Sequence, residues 1–240
     1  MDWFSEWFDS PYYHILYKNR DLKEAELFID NLLVYLNLSS DSSIIDIPCG
    51  KGRHCIYLNK KGYRVSGADL APHSILYAKE YSNPKLDFFI HDMREDFAKD
   101  QYDLVLNIFT SFGYFDSPID NQRCINAFAH ALKPKGKLVL DFLNFTKVLH
   151  QLSPKELKTI ENIDFCIHKQ VENNRLIKDI EFSDKGTKYH FQEKVSILHQ
   201  EDFLNYFTFA GLKVIDVFGD YQLHPFDLEK SDRLIFVVQK

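Results

Sequence analysis

Ser43-Ile44-Ile45-Asp46-Ile47-Pro48-Cys49-Gly50-Lys51-Gly52-Arg53-His54 is the stretch from which the fold can be read. It opens as a short β-branched apolar run, the pattern of a buried strand. It passes directly into a loop carrying Gly50 and Gly52, and residues 53–61 then read as a helix, with Gly62 where a helix stops. Glycines at such a junction let the backbone turn sharply and approach a ligand. The helix that follows offers unbonded N–H groups to it.

Working outward, strands are expected at 63–68, 86–90, 102–108 and 137–142, the last behind a Lys133-Pro134-Lys135-Gly136 turn. Helices are expected at 74–81 and 121–132. Strands alternating with helices at this spacing predict an α/β fold, a Rossmann-like, doubly wound and mostly parallel seven-stranded sheet. The alternation breaks at 163–198, which reads as three strands joined by Glu172-Asn173-Asn174 and Ser183-Asp184-Lys185-Gly186, an antiparallel β insertion before the last helix. Lys169, Glu172, Lys178, Asp179 and Glu181 are expected to form its solvated face. A helix at 200–210 and strands at 212–218 and 233–239 close the chain. Ahead of the sheet, residues 12–37 carry apolar positions at helical spacing with a break near Asn19 and Arg20. The expected organisation is therefore an N-terminal helical cap (1–37), a cofactor-binding core (38–149), the β insertion or lid (150–199), and the last helix with the final two strands (200–240).

Composition excludes several classes. The 240 residues hold 29 Lys+Arg against 35 Asp+Glu, a net charge of −6, which argues against a nucleic-acid or anionic-membrane partner. No apolar run is long enough to span a bilayer, and the start of the chain lacks the basic region of a signal peptide, so a cytoplasmic protein is expected. Cys49, Cys55, Cys124 and Cys166 form no CxxC pair, and neither a metal site nor a disulfide framework is predicted. The 21 Phe and 13 Tyr suit a pocket around a small organic molecule. Oligomeric state is not legible.

Three further positions narrow the ligand. The second strand ends in Gly67-Ala68-Asp69-Leu70, where a carboxylate can accept both hydroxyls of a ribose. The third ends in His91-Asp92-Met93, placed to clamp an adenine edge, and the fourth ends in Asn107, whose following loop lies over the crevice at the strand ends. A nicotinamide dinucleotide shares the ribose contact, but Cys55 stands where GxGxxG requires its third glycine.

With these motifs the chain resembles the class I S-adenosylmethionine-dependent methyltransferases over roughly residues 40–145. The family's Asp/Glu-x-Gly-x-Gly-x-Gly motif is met by Asp46, Gly50 and Gly52, with Pro48 in place of the first glycine. The resemblance implies S-adenosylmethionine as cofactor, S-adenosylhomocysteine as product, Asp69 with Leu70 at the ribose, Asp92 and Met93 at the adenine, and the Gly50 and Asn107 backbone at the methionine moiety. Leu16-Tyr17, Ala25-Glu26, Thr110-Ser111-Phe112 and Asp141-Phe142-Leu143-Asn144 are similar to segments of the glycine N-methyltransferase-like enzymes. That likeness implies Tyr17 and Arg20 at the cofactor, with Lys23 competing for the second role. The arginine those enzymes use for a glycine carboxylate has no counterpart after Asn144, so glycine itself is not implied.

Tyr17, Tyr13 and His14 are the candidate catalytic residues, as aromatic and polar groups able to roof the site. Tyr221 and His224 are weaker candidates of the same kind. His54 and Cys49 read as packing residues. The loop after the fourth strand lacks an Asn-Pro-Pro-aromatic signature, which favours a small-molecule acceptor, amine or hydroxyl. A non-catalytic cofactor-binding protein is the alternative, on Pro48 alone, and an insertion that serves as a protein interface is a third reading.

Overall fold

The computed structural model describes residues 3–18 and 22–240. Helices α1 (Trp3–Phe8), α2 (Pro11–Leu16) and α3 (Leu22–Leu36) come first. The alternating part follows as β1 (Ser43–Asp46), α4 (Arg53–Lys60), β2 (Arg64–Asp69), α5 (Pro72–Lys79), β3 (Leu86–Ile90), β4 (Tyr102–Asn107), α6 (Pro118–Ala131) and β5 (Leu132–Leu143). Next are α7 (Phe145–His150), β6 (Lys155–Ile160), β7 (Ile163–Glu172), β8 (Arg175–Asp184) and β9 (Thr187–Ser196), then α8 (Gln200–Phe209), β10 (Lys213–Phe218) and β11 (Arg233–Gln239).

The main sheet has seven strands in the order β10-β11-β5-β4-β1-β2-β3. β1 pairs in parallel with β2 and β4, while β11 runs antiparallel between β5 and β10. The strands are covered on both faces, which is why Ile44, Ile45, Val105, Leu138 and Leu140 need no polar alternation. On one face lies α3, whose Phe28, Ile29, Leu32 and Leu36 recur at helical spacing and pack with Ile44, Leu104 and Leu106. α6 starts at Ser117, whose side chain accepts the Ile119 N–H, with proline at the first helical position.

The antiparallel part forms a separate four-stranded sheet, β6-β7-β8-β9. Sequence pattern missed β6, because an edge strand reading Lys-Glu-Leu-Lys-Thr-Ile is nearly all exposed and shows no apolar alternation. The Lys133–Gly136 turn is also corrected. Tyr102 pairs with Leu132 and Leu104 with Lys137, so the extra residues form an irregularity inside β5, where Lys135 has φ +67° and donates its N–H to the Lys240 carbonyl.

Lys178 is not on the solvated face expected for it. Strand alternation puts it in phase with Leu176, Ile180 and Phe182, on the inward side, directly opposite Glu193 of β9. That side, with Phe165, Ile167, Ile180 and Phe182, packs against Trp7 and Leu16. Helices α1 and α2 therefore share a cluster with the β insertion, while α3 packs on the main sheet. Together α1, α2 and the second sheet roof the ends of the parallel strands.

Candidate functional site

The loop after β1 is anchored on both sides. Ile47 donates its N–H to the Leu106 carbonyl of β4, and Cys49 donates to the Ala68 carbonyl of β2. Asn107 reaches back with Nδ2 to the Ile47 carbonyl at 2.8 Å. Gly50 and Gly52 both lie in the left-handed region, at φ +54° and +78°. A Cβ on Gly50 would meet nothing within 4 Å, because the position faces open space. At Gly52 it would strike the Phe88 ring at 2.6 Å.

The loop borders a cavity of about 570 Å³. Among the candidates, Pro48, Gly50, Asp69, Leu70, Asp92, Met93, Tyr13, His14 and Tyr17 line it. Asp46, Gly52 and Asn107 stand behind its wall rather than on it. Asp46 is 1% exposed and holds His54 Nδ1 at 3.1 Å, which fixes a ring stacked on Phe109 at 5.0 Å between centroids. Arg20 lies outside the described residues. Asp69 accepts the Gly50 N–H at 2.7 Å and the Ala71 N–H at 2.9 Å on opposite oxygens, which still leaves carboxylate lone pairs for a ligand. Asp92 is also engaged. Arg94 donates to both its oxygens, at 2.7–3.0 Å, and stacks on Phe115 at 4.9 Å. Burial opposes the ionised form of Asp92, yet Arg94 holds its carboxyl below the usual range.

A second cavity, of about 300 Å³, adjoins the first. The two share Phe8, Tyr17, Arg53, Phe109 and Tyr114. Its further walls include Thr110, Lys178, Glu193, Tyr221 and Arg233. Tyr13 and His14 border only the first cavity, so of the three catalytic candidates Tyr17 alone borders both. His224 borders neither and pairs with Asp220 at 2.8 Å.

Two ion pairs, each with a buried carboxylate, shape the second cavity. Arg233 Nε donates to Asp141 Oδ1 at 2.8 Å, and its guanidinium reaches Thr110 Oγ1 at 2.7 Å. Asp141 also accepts the Phe109 N–H at 2.7 Å and the Tyr221 hydroxyl at 3.3 Å. This holds a loop in which Phe109 and Thr110, neither of them glycine, both have φ +59°. Glu193, 6% exposed, accepts from Trp7 Nε1 at 2.8 Å, the Tyr17 hydroxyl at 2.7 and 2.8 Å, and Lys178 Nζ at 3.1 Å. Sequence reading missed Glu193. Its signal was available: a charged residue in phase with Phe191 and Val195 on a strand. Among the described residues no group of three or more His, Cys, Asp or Glu side chains is arranged to hold a metal ion, and no helix is long and apolar enough to cross a membrane.

Residues 44–136 match a family described as Methyltransferase domain. A dTDP-3-amino-3,4,6-trideoxy-alpha-D-glucopyranose N,N-dimethyltransferase of Streptomyces venezuelae is 24% identical over 72% of this chain and 76% of its own length. A glycine/sarcosine N-methyltransferase of Aphanothece halophytica is 23% identical over 92% of this chain and 83% of its own. An S-adenosylmethionine-dependent methyltransferase from Clostridium acetobutylicum superposes with a TM-score of 0.79 at 18% identity, covering 95% of each chain. The strand order, the glycine loop, the domain match and these relatives support a class I S-adenosylmethionine-dependent methyltransferase. Its likeness extends to the glycine/sarcosine N-methyltransferases, as the N-terminal segment implied.

The residues present fit S-adenosylmethionine. Gly50 leaves the volume that a side chain would fill, Asp69 offers an ionisable acceptor for two hydroxyls, and the cavity is of the size that encloses a nucleoside-bearing ligand.

Proposed function

We propose that this chain transfers a methyl group from S-adenosylmethionine to a small-molecule amine or hydroxyl seated in the second cavity. The observation that carries this reading is the meeting of the two cavities at Tyr17, Phe8, Phe109 and Tyr114. In support, the Streptomyces venezuelae relative is named for an amino sugar and the Aphanothece halophytica relative for glycine and sarcosine, both small amines.

When bound, the cofactor supplies an activated methyl on a sulfonium sulfur, so the protein's work is alignment and exclusion of water. Asp69 and Leu70 would hold the ribose, with Asp92 and Met93 at the base and Gly50 at the methionine moiety. Pro48 and Tyr17 face the methionine end. The aromatic walls from α1, α2 and the Phe109 loop keep water from the reacting atoms, and Tyr17 orients the acceptor. Titration calorimetry with S-adenosylmethionine and, separately, NAD tests the reading. Binding of the former alone is expected, followed by transfer of label from methyl-tritiated cofactor to an acceptor. Binding of NAD alone would overturn it.

Asp69 makes cofactor affinity depend on pH. Burial pushes its carboxyl up from 3.8 to about 6, with the Ala71 and Gly50 amides opposing the shift. A carboxylate that accepts ribose hydroxyls must be ionised. Affinity is therefore expected to fall about tenfold per pH unit below about 6. Stability of the ligand-free protein runs the other way. The folded acid keeps its proton more tightly than the unfolded one, so its contribution is full below 3.8 and lost as pH rises through 6. Calorimetry across this range checks the prediction. Asp69→Asn should bind roughly 10- to 100-fold more weakly, with no such slope. A wild-type affinity that ignores pH would remove Asp69 from the ribose.

A further inference from the structure

Asp46, the acid at the head of the glycine loop, does not reach the first cavity, yet it holds a residue that does. His54 stands on the first turn of α4 and borders that cavity together with Pro48, Gly50 and Phe109. Its Nδ1 lies 3.1 Å from Asp46 Oδ2, and Phe109 stacks on its ring at an interplanar angle of 17°. The Asp46 carboxylate, 1% exposed, can only accept, so Nδ1 is the nitrogen that carries the proton. In the neutral ring the lone pair is then on Nε2. That atom is shut off from solvent and has no hydrogen-bond partner among the described residues. Packing does not account for it, since a ring wanted only for its bulk would not need to strand a buried polar nitrogen.

We infer that His54 Nε2 accepts a hydrogen bond from the amino group of the S-adenosylmethionine methionine moiety, with Asp46 as the positioning residue that keeps the ring proton on Nδ1. This rests on the cofactor assignment and is independent of which molecule receives the methyl group. Gly50 and His54 border one stretch of wall, so a methionine end lying against the glycine loop comes to the imidazole edge. Cations stand on that wall at Lys51 and Arg53 and suit the methionine carboxylate. The amino group, as an ammonium, brings only donors and needs acceptors. Asp69 is assigned to the ribose, which leaves His54 as the acceptor side chain next to the loop. No proton has to move for this bond to form, and S-adenosylhomocysteine carries the same amino group. The acid of the glycine motif therefore reaches the cofactor through His54.

The test compares S-adenosylhomocysteine with its deamino analogue, in which the amino-bearing carbon is a plain methylene. Calorimetry should show the wild type preferring the former by roughly 10- to 100-fold, the range for a hydrogen bond to a charged group. His54→Asn keeps an amide that can donate to Asp46 but places nothing at the Nε2 position, and most of the preference should vanish. Its affinity for the deamino analogue should stay within about threefold of wild type, which also shows that the variant folds. His54→Gln, with a polar atom near the Nε2 position, should recover part of the preference. The unsubstituted protein supplies an independent readout. In nitrogen-15 spectra of histidine-labelled protein, the His54 Nε2 resonance should move further upfield with S-adenosylhomocysteine than with the deamino analogue, as an accepting nitrogen does. If His54→Asn fails to fold, this resonance decides. Equal wild-type affinity for the two ligands, an equal response of the resonance, or a preference that survives in His54→Asn overturns the inference and leaves S-adenosylmethionine as the cofactor. Wild-type protein that binds neither ligand would take down the cofactor reading as well.

Discussion

Replacing Arg233 by Met should destabilise the protein by about 3–5 kcal/mol, the cost of stranding a buried charge. The partner is Asp141, 0% exposed near the end of strand β5. Arg233 supplies the one cation in contact with that carboxylate among the described residues, from the facing strand β11. Burial works against the arginine's own charge, but Asp141 offsets this and keeps it protonated. With the guanidinium gone, the Phe109 N–H and Tyr221 hydroxyl are too few to replace it. For a chain of this length such a loss lowers Tm by about 10 °C or more. Thermal melts check it. Arg233→Lys, which keeps the charge but loses the bond to Thr110, should cost less than Arg233→Met. A Met variant that melts with the wild type would mean that solvent reaches Asp141 after all. Since Asp141 also holds the Phe109 loop, the variant should additionally loosen the wall between the two cavities.

The second large effect is expected at Gly52. A Cβ there would lie 2.6 and 2.7 Å from the Phe88 ring, and the backbone sits at φ +78°. The left-handed conformation costs an L-residue roughly 1–2 kcal/mol, and overpacking adds roughly 1–3 kcal/mol. The ring cannot swing aside, because Phe88 is 1% exposed and already pressed against Gly67, where a Cβ would stand 2.5 Å away. Gly52→Ala should therefore lose about 2–5 kcal/mol by these two contributions together. Gly67→Ala provides the control, since it carries the clash without a positive φ. Measured in a Phe88→Leu, Cys49→Ala background, which removes both the ring and the Cys49 Sγ that a Gly67 Cβ would meet at 2.9 Å, Gly67→Ala should lose most of its cost, whereas Gly52→Ala should retain its backbone cost. Equal recovery at both positions would refute the backbone contribution.

Phe88 explains a feature that motif reading leaves bare. Gly52 and Gly67 belong to different strand ends, yet one phenylalanine from β3 requires both to lack a side chain. Pro48 likewise looks like a defect when set against a glycine motif. In the fold it lines the first cavity, while its neighbours Ile47 and Cys49 tie the loop to β4 and β2.

The parallel sheet and its cofactor loop were readable from the chain because each depends on residues close together in sequence. Strand alternation, the helix stop at Gly62 and the Asp69 and Asp92 strand ends are all decided within a few positions. The same locality explains the misses. β6 is an edge strand whose side chains face water, and β5 absorbs a proline–glycine turn because Lys135 can bond to the end of the chain. The second cavity lies beyond local pattern altogether. Tyr17 and Glu193 are 176 residues apart, and Asp141 and Arg233 are 92 apart. Nothing near Tyr17 in sequence tells which way its proton points. That is settled only when the second sheet turns Lys178 and Glu193 inward against α1 and α2, where a charge without a partner would be too costly to bury.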